Sequence, residues 1–338
     1  MNKIIAGGTR SKRAPATRRR RTVLLVEKIH PKYLARLERG ARVVRPDAFD
    51  EDSLAAICAA EAVDGIVIRS KGLVSQKIIA ASPNLIVVGR HGIGIEHIDV
   101  DAATQAGVWV VSTPGASRVS VAEHTWSMIL GLARRILPGD RAVRDGRYQF
   151  RDTHKALQLE GKTLGIIGLG RIGTTVAEIA VKAFGMNVVY SDLLSFPAKE
   201  RRLKCRKMGL KPLLAKSDVV SIHTPLDEST RGLIGARELS WMRPHALLIN
   251  CARGQIVDTY AVAGALEQGK LGGAGIDVFD PEEPPLDHPL LKSDKAILSP
   301  HFAAQTPEAN LGYGAVVDDV LRIFAGKRPL WPVNALSP

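Results

Sequence analysis

The chain has 338 residues, 45% of them hydrophobic, and a mean hydropathy of +0.01. This balance fits a soluble globular protein and not a disordered one, and no apolar run approaches the roughly 18 residues a membrane span needs. The net charge of +13 first suggests a nucleic-acid partner, but eight of the basic residues fall in residues 1–21, which hold no acid, leaving 39 basic against 34 acidic residues in the rest.

Residues 9–21 read "TRSKRAPATRRRR". Such a stretch cannot bury enough apolar surface to fold alone, so 1–21 is expected to be a disordered basic extension. A polyanion-binding arm or a targeting segment is the alternative use for it, and nucleic acid is otherwise not an expected partner. Cys58, Cys205 and Cys251 are odd in number and far apart. They offer neither a disulfide framework nor a zinc site, and a reducing, cytoplasmic setting is expected. At roughly 100–200 residues per domain, the length suggests two domains.

From Thr22 onward, apolar strands alternate with helical stretches. "TVLLVEKI", "ARVVR", "DGIVIRS", "NLIVVGR" and "VWVVSTP" read as strands. Helices are expected over 31–40, 50–61, 75–82 and near 99–106. Continuous apolar runs joined by helices indicate parallel strands covered on both faces. Residues 117–137 predict one long helix closed by Pro138, with Val119, Ala122, Trp126, Ile129, Ala133 and Ile136 as its apolar stripe. A charged, weakly patterned region, 139–161, follows. A second series then supplies six strands: "TLGIIG", "NVVYSD", "DVVSIH", "ALLIN", "GAGIDVF" and "AILSPH". The fold class expected is α/β, with two Rossmann-like parallel-sheet domains.

The first strand of that series runs into Gly168-Leu169-Gly170-Arg171-Ile172-Gly173, and a helical stretch continues it. Gly168 permits the tight turn, Gly170 lets the backbone approach a pyrophosphate, and Gly173 allows close helix–strand packing. The helix N-terminus offers free N–H groups to phosphates. The next strand ends at Asp192, placed to accept both ribose hydroxyls and to repel a 2′-phosphate. NAD is therefore expected over NADP. Three later strands end in Arg253, in Asp277 with Glu282 and Glu283 beyond it, and in His301. Hydride transfer between a nicotinamide and a 2-hydroxy acid needs such a set. It takes an acid/base near neutral pH, a carboxylate to orient it, and a fixed cation for the substrate carboxylate and carbonyl.

At this point the chain resembles the D-isomer-specific 2-hydroxyacid dehydrogenase family. The resemblance runs from Thr22 to Asn334 through "VGRHGIGIEHID", "TPGASRVSVAEHT", "GKTLGIIGLGRIG", "VVSIHTPLDEST", "LINCARGQIVD", "GAGIDVFDPEEP", "SPHFAAQTPEA" and "GKRPLWPVN". It implies Arg253, Glu282 and His301 as the catalytic trio, with Glu283 where the family usually has proline and so a rival carboxylate. It implies a flavodoxin-like substrate domain split into 22–116 and 303–338, an NAD-binding domain at 117–302, substrate in the cleft, and a dimer or larger homo-oligomer formed through the NAD-binding domain.

By the same resemblance, Arg90, His91, Gly92, Ile93 and Gly94 face the substrate carboxylate. Arg69 and Ser70 join the substrate side, with Arg69, Lys71, Arg90 and Arg118 as charges available to a phosphate. Asp277 is implied to meet the nicotinamide amide. His223, Thr224 and Pro225 line the cofactor, and Cys251 and Ala252 add backbone. Two departures fall near the substrate: Ile95-Glu96-His97 replaces the usual "VDN", and Ser117-Arg118 replaces an asparagine. His124 reads as helix packing, and Trp126 as core or interface.

Within the family the stretch from Val67 to Gly94 most resembles the branch acting on D-3-phosphoglycerate. Glyoxylate or hydroxypyruvate reduction is the alternative chemistry. A different class, an NAD-gated corepressor-like binding protein, could keep the trio without turnover. The chain ends just after "WPVNALSP", so no C-terminal regulatory domain is expected.

Overall fold

The computed structural model describes residues 19–336. They divide into two compact units. The first comprises the described residues up to Arg90, Ile95–Val111, and the carboxyl-terminal stretch from Val316. The second comprises His91–Gly94 and Ser112–Ala315.

The first unit holds five parallel strands: β1 (Thr22–Leu25), β2 (Arg42–Val44), β3 (Gly65–Ile68), β4 (Val87–Arg90) and β5 (Trp109–Val111). Their order is β2-β1-β3-β4-β5, the flavodoxin-like order. The apolar runs are explained by burial on both faces. Val23 and Leu25 pack with Val320 and Phe324 on one side, and Leu24 packs with Leu54 and Ile78 on the other. Each such side chain contributes about 1.5–3 kcal/mol relative to exposure. Helix Val316–Phe324 lies close on β4, because Gly89 leaves room for Val316 and Val320.

Of the basic extension expected over 1–21, residues 1–18 lie outside the described residues. Its last residues belong to the folded unit. Arg19 and Arg21 reach buried Asp64 at 2.8 and 2.6 Å, and Thr22 N donates to the same carboxylate at 2.8 Å. A buried acid needs such partners, and the two arginines supply them.

The second unit holds seven parallel strands where six were expected: β6 (Thr163–Ile167), β7 (Asn187–Ser191), β8 (Arg206–Lys207), β9 (Val219–Ile222), β10 (Leu247–Asn250), β11 (Gly273–Ile276) and β12 (Ala296–Leu298). The order is β12-β11-β10-β9-β6-β7-β8. This is the doubly wound dinucleotide-binding order with one added strand. β8 has two charged residues and no apolar run; it is a strand because it pairs with β7, which local sequence does not announce.

The helix expected over 117–137 is two helices. Arg118–Ala133 ends at Arg134, Arg135 turns left-handed at φ +52°, and Ile136–Arg144 follows. Pro138 sits in the first turn of the second helix, where its missing N–H costs nothing, instead of closing the first. The buried stripe is accordingly Ala122, Trp126, Ile129 and Ala133, while Val119 and Ile136 are 49% and 56% exposed. A short helix at Phe150–Thr153 also lies in the stretch read as unpatterned. Helix Pro307–Tyr313, read from sequence as part of the first domain, packs on Arg118–Ala133 and falls in the second unit. Gly312 there lies against Ala116.

Candidate active site

In the second unit the sheet order reverses between β6 and β9, and a doubly wound sheet binds its ligand at the carboxyl ends beside such a point. The glycine loop leaves β6 there. Gly168 has φ +91°, and a Cβ on it would meet the backbone of His223 and Thr224 at 2.8–2.9 Å. A Cβ on Gly173 would stand 2.1 Å from the Gly168 carbonyl oxygen, whereas one on Gly170 would meet nothing within 4 Å. Two glycines therefore close the turn, and the third leaves an open cradle before helix Arg171–Phe184. Asp192, just past β7, accepts from Leu169 N at 2.8 Å and Leu194 N at 2.9 Å. Its carboxylate is thus fixed beside the loop.

The remaining expected residues follow the ends of successive strands. Past β9, His223 Nε2 pairs with Ser221 Oγ at 2.8 Å. Burial pushes its imidazole down to about 3, so it is neutral at any ordinary working pH. Thr224 and Pro225 continue the same turn. Past β10, burial pushes the Cys251 thiol up to about 12, which leaves no thiolate for nucleophilic chemistry. Asn250 then shapes the turn, accepting from Ala252 N at 3.0 Å and donating to the Arg253 carbonyl at 2.9 Å. Arg253 Nη1 donates to the Ala252 carbonyl at 2.7 Å. Gly254 follows because a Cβ there would meet the Phe279 carbonyl oxygen at 2.0 Å; the chains leaving β10 and β11 touch at this point.

Past β11, Asp277 is 1% exposed. Burial alone pushes its carboxyl up. Hydrogen bonds from His124, Ser299 and the N–H groups of Phe302 and Ala303 outweigh that and hold it below the usual carboxylate range. Past β12, His301 takes φ +52°, and its N–H donates to the Asp277 carbonyl at 2.7 Å. Its Nδ1 meets Glu282 Oε1 at 2.8 Å, with the imidazole side chain 46% exposed. Glu282, not Glu283, is the carboxylate paired with the ring among the described residues. The arrangement leaves Nε2 to exchange a proton with a ligand while Nδ1 is held by a carboxylate, the usual design of an oriented acid/base.

His91–Gly94 belongs to this same unit. Thr113 N and Oγ1 donate to the Gly92 carbonyl at 3.2 and 3.1 Å. His91 is buried, with its ring 5.7 Å from that of Tyr313, and Ile93 is exposed. Arg118 Nη1 bonds Thr175 Oγ1 at 3.1 Å.

In the first unit, Arg69, Ser70 and Lys71 follow β3, at that sheet's own reversal point between β1 and β3. Glu27 organises them. It accepts from Arg69 N at 3.1 Å, Lys71 N at 2.8 Å and Ser70 Oγ at 3.0 Å, and also from Ser70 N. Burial pushes the Glu27 carboxyl up, but these bonds hold it below the usual carboxylate range. Lys71 Nζ sits 4.9 Å from the centre of the Phe49 ring, and Arg90 closes β4.

The fold and the second unit's site define a dinucleotide-binding α/β protein with a carboxylate–histidine pair at its sheet edge. Residues 126–303 match the family described as D-isomer specific 2-hydroxyacid dehydrogenase, NAD binding domain. The chain is 40% identical over 266 residues to a D-3-phosphoglycerate dehydrogenase of Archaeoglobus fulgidus, covering 78% of this chain and 50% of that one. It is also 40% identical over 264 residues to a glyoxylate reductase of Aeropyrum pernix, covering 76% and 78%. The solved structure of the TT0316 protein from Thermus thermophilus aligns with a TM-score of 0.84 at 34% identity, over 93% of this chain and all of that one. The chain belongs to the D-isomer-specific 2-hydroxyacid dehydrogenase family, and its second unit is the NAD-binding domain. It spans about half the length of the D-3-phosphoglycerate dehydrogenases it matches.

Two organising residues escape sequence reasoning. His124 reads as packing, yet its Nε2 lies 3.0 Å from Ser299 Oγ and 3.4 Å from Asp277 Oδ1. Glu27 carries no signal, because its partners lie more than 40 residues away.

Proposed function

We propose that the protein interconverts a D-2-hydroxy acid and its 2-keto acid with NAD. The observation that carries this is the 2.8 Å Glu282–His301 pair on the strand-end edge that also carries Arg253 and the glycine loop. The open Gly170 cradle and the fixed Asp192 carboxylate fit a dinucleotide. When bound, NADH supplies the hydride. In reduction, His301 Nε2 gives its proton to the forming hydroxyl oxygen, and Glu282 keeps the ring oriented and balances its charge. The Arg253 guanidinium holds the substrate carboxylate and draws density from the carbonyl. In oxidation His301 takes the proton back. The first unit serves as the substrate domain, with Arg69, Ser70 and Arg90 on the substrate side, and the loop His91–Gly94 presents backbone N–H groups to the substrate.

The substrate proposed first is 3-phosphohydroxypyruvate, in exchange with D-3-phosphoglycerate. Arg69, Lys71, Arg90 and Arg118 are the candidate cations for its phosphate; Lys71 lies over the Phe49 ring and Arg118 bonds Thr175. Glyoxylate or hydroxypyruvate is the second reading. It is favoured by the Aeropyrum pernix glyoxylate reductase, whose length the chain covers to 78%. NADH oxidation with a panel of these three keto acids tests both. A phosphohydroxypyruvate kcat/KM at least tenfold above the others supports the first reading, and the reverse order selects the second. Activity with none of them overturns both.

Cofactor choice rests on Asp192. NADH should be preferred to NADPH, and Asp192→Ala should narrow that preference by removing ribose bonds and 2′-phosphate repulsion together. Equal kcat/KM with both cofactors in the unaltered protein would contradict this assignment.

A homodimer through the NAD-binding domain is proposed as well. Ile136, Leu137, Val143 and Tyr148 are each more than half exposed, an apolar concentration unusual for a free surface. Beside them a cavity of about 390 Å³, lined in part by Leu137, Leu157 and Ile297, opens at the amino ends of β10–β12. Light scattering at micromolar concentration should give a dimer or larger, and Leu137→Asp with Val143→Asp should give a monomer. A monomer at every concentration in the unaltered protein sinks the idea. A cytoplasmic location is proposed with it; among the described residues no helix is long and apolar enough to cross a membrane.

A further inference from the structure

We propose that His124 is a positioning residue for His301, acting through Ser299 and Asp277. The inference rests on His301 being the acid/base.

The argument begins with the backbone. A non-glycine residue at φ +52° is strained and must be held by its surroundings. Asp277 does the holding. Its carbonyl takes the His301 N–H at 2.7 Å. Its Oδ1 takes Phe302 N at 2.7 Å and Ser299 Oγ at 2.5 Å, and its Oδ2 takes Ala303 N at 3.1 Å. One buried carboxylate thus ties together the residues on both sides of His301.

Proton accounting places His124 in this chain of bonds. The Ser299 hydroxyl gives its one proton to Asp277 Oδ1, so its other contact must be as an acceptor. His124 Nε2, 3.0 Å away, is the donor. The relay runs His124 Nε2–H to Ser299 Oγ, then Ser299 Oγ–H to Asp277, and His124 Nε2 itself stands 3.4 Å from Asp277 Oδ1. Each member comes from a different segment: helix Arg118–Ala133, the turn after β12, and the end of β11. A ring nitrogen of His124, the Sγ of Cys251 and a carboxylate oxygen of Asp277 also lie within 4.8 Å of one another, so the three side chains cluster below the sheet edge. Loss of its first donor leaves Ser299 free to turn from Asp277, and the loop carrying His301 then loses one of its ties.

The test is His124→Phe, which keeps an aromatic ring and removes the donor, beside His124→Gln, whose amide N–H can replace Nε2–H. Losing one partner of this part-buried hydrogen bond predicts a kcat lower by about 5- to 100-fold in His124→Phe. The KM for keto acid and the Kd for NADH, read by fluorescence quenching, should stay within about twofold. His124→Gln should restore most of kcat. Ser299→Ala breaks the relay at its middle and should reproduce the kcat loss if His124→Phe does not fold. Unchanged kcat in both His124→Phe and Ser299→Ala overturns the proposal. So does a rise in the NADH Kd in step with the kcat loss, because the relay would then serve the cofactor. His301→Ala, run in parallel, separates this from the reading beneath it. If that variant keeps full turnover, the acid/base assignment fails. If it loses turnover while the His124 and Ser299 variants keep theirs, only the positioning role fails.

Discussion

His301→Ala is expected to lower kcat for keto-acid reduction by about 10²–10⁴, the usual worth of general acid catalysis, with the NADH Kd little changed. The side chain is nearly half exposed and its Nδ1 is taken by Glu282 at 2.8 Å, so removing it deletes the proton donor and no part of the glycine loop. Glu282→Gln keeps the shape and removes the carboxylate charge held against Nδ1, and should lower kcat for reduction with the NADH Kd little changed. Glu283→Gln is the control and should leave kcat in place. A kcat lowered by Glu283→Gln and not by Glu282→Gln would mean that the other carboxylate is the one in use. If neither lowers it, the carboxylate–histidine pairing plays no part in the proton transfer.

Arg253 should show the other large loss. A guanidinium that grips the substrate carboxylate and polarises its carbonyl acts in both ground and transition states. Truncating one partner of such a charge-assisted pair costs about 2–5 kcal/mol, or roughly 30- to 4,000-fold in kcat/KM. Both kcat and KM should therefore suffer in Arg253→Ala, unlike the kcat-only loss of His301→Ala. Arg253→Lys keeps the charge but loses the planar fork, and should recover only a small part. A near-normal kcat/KM in Arg253→Ala would remove Arg253 from the site.

The parts of this site that are legible in the sequence share one property: their chemistry is local to a strand end. Gly168, Gly170 and Gly173 follow an apolar run and open a helix, so the turn and the cradle can be read in place. Asp192 and Arg253 each follow a buried strand and His301 a half-buried one, and parallel pairing alone puts such residues on one edge. That the first five strands are parallel follows from the alternation of runs and helices, while their flavodoxin-like order is implied only by the family resemblance. What stays hidden depends on distant partners. β8 is a strand only because Tyr190 and Val189 pair with it. The break at Arg135 uses a left-handed arginine, where glycine would have been the visible signal. Its consequence, the exposure of Val119 and Ile136, is invisible with it. Glu27 and His124 look like ordinary surface and packing residues until tertiary contacts bring Ser70 to one and Ser299 to the other. The choice of Glu282 over Glu283 comes from the family resemblance and not from the residues alone, and the turn between β11 and β12 pairs Glu282 with His301.

A fixed acid/base and a fixed cation can present a keto acid to the cofactor by one face only, so the product must be a single enantiomer. The most direct measurement is chiral chromatography of the 2-hydroxy acid formed when the purified protein oxidises NADH with hydroxypyruvate or 3-phosphohydroxypyruvate. The account predicts the D enantiomer alone, formed mole for mole with NAD. A racemic or L product, or no product above the enzyme-free blank, would contradict it.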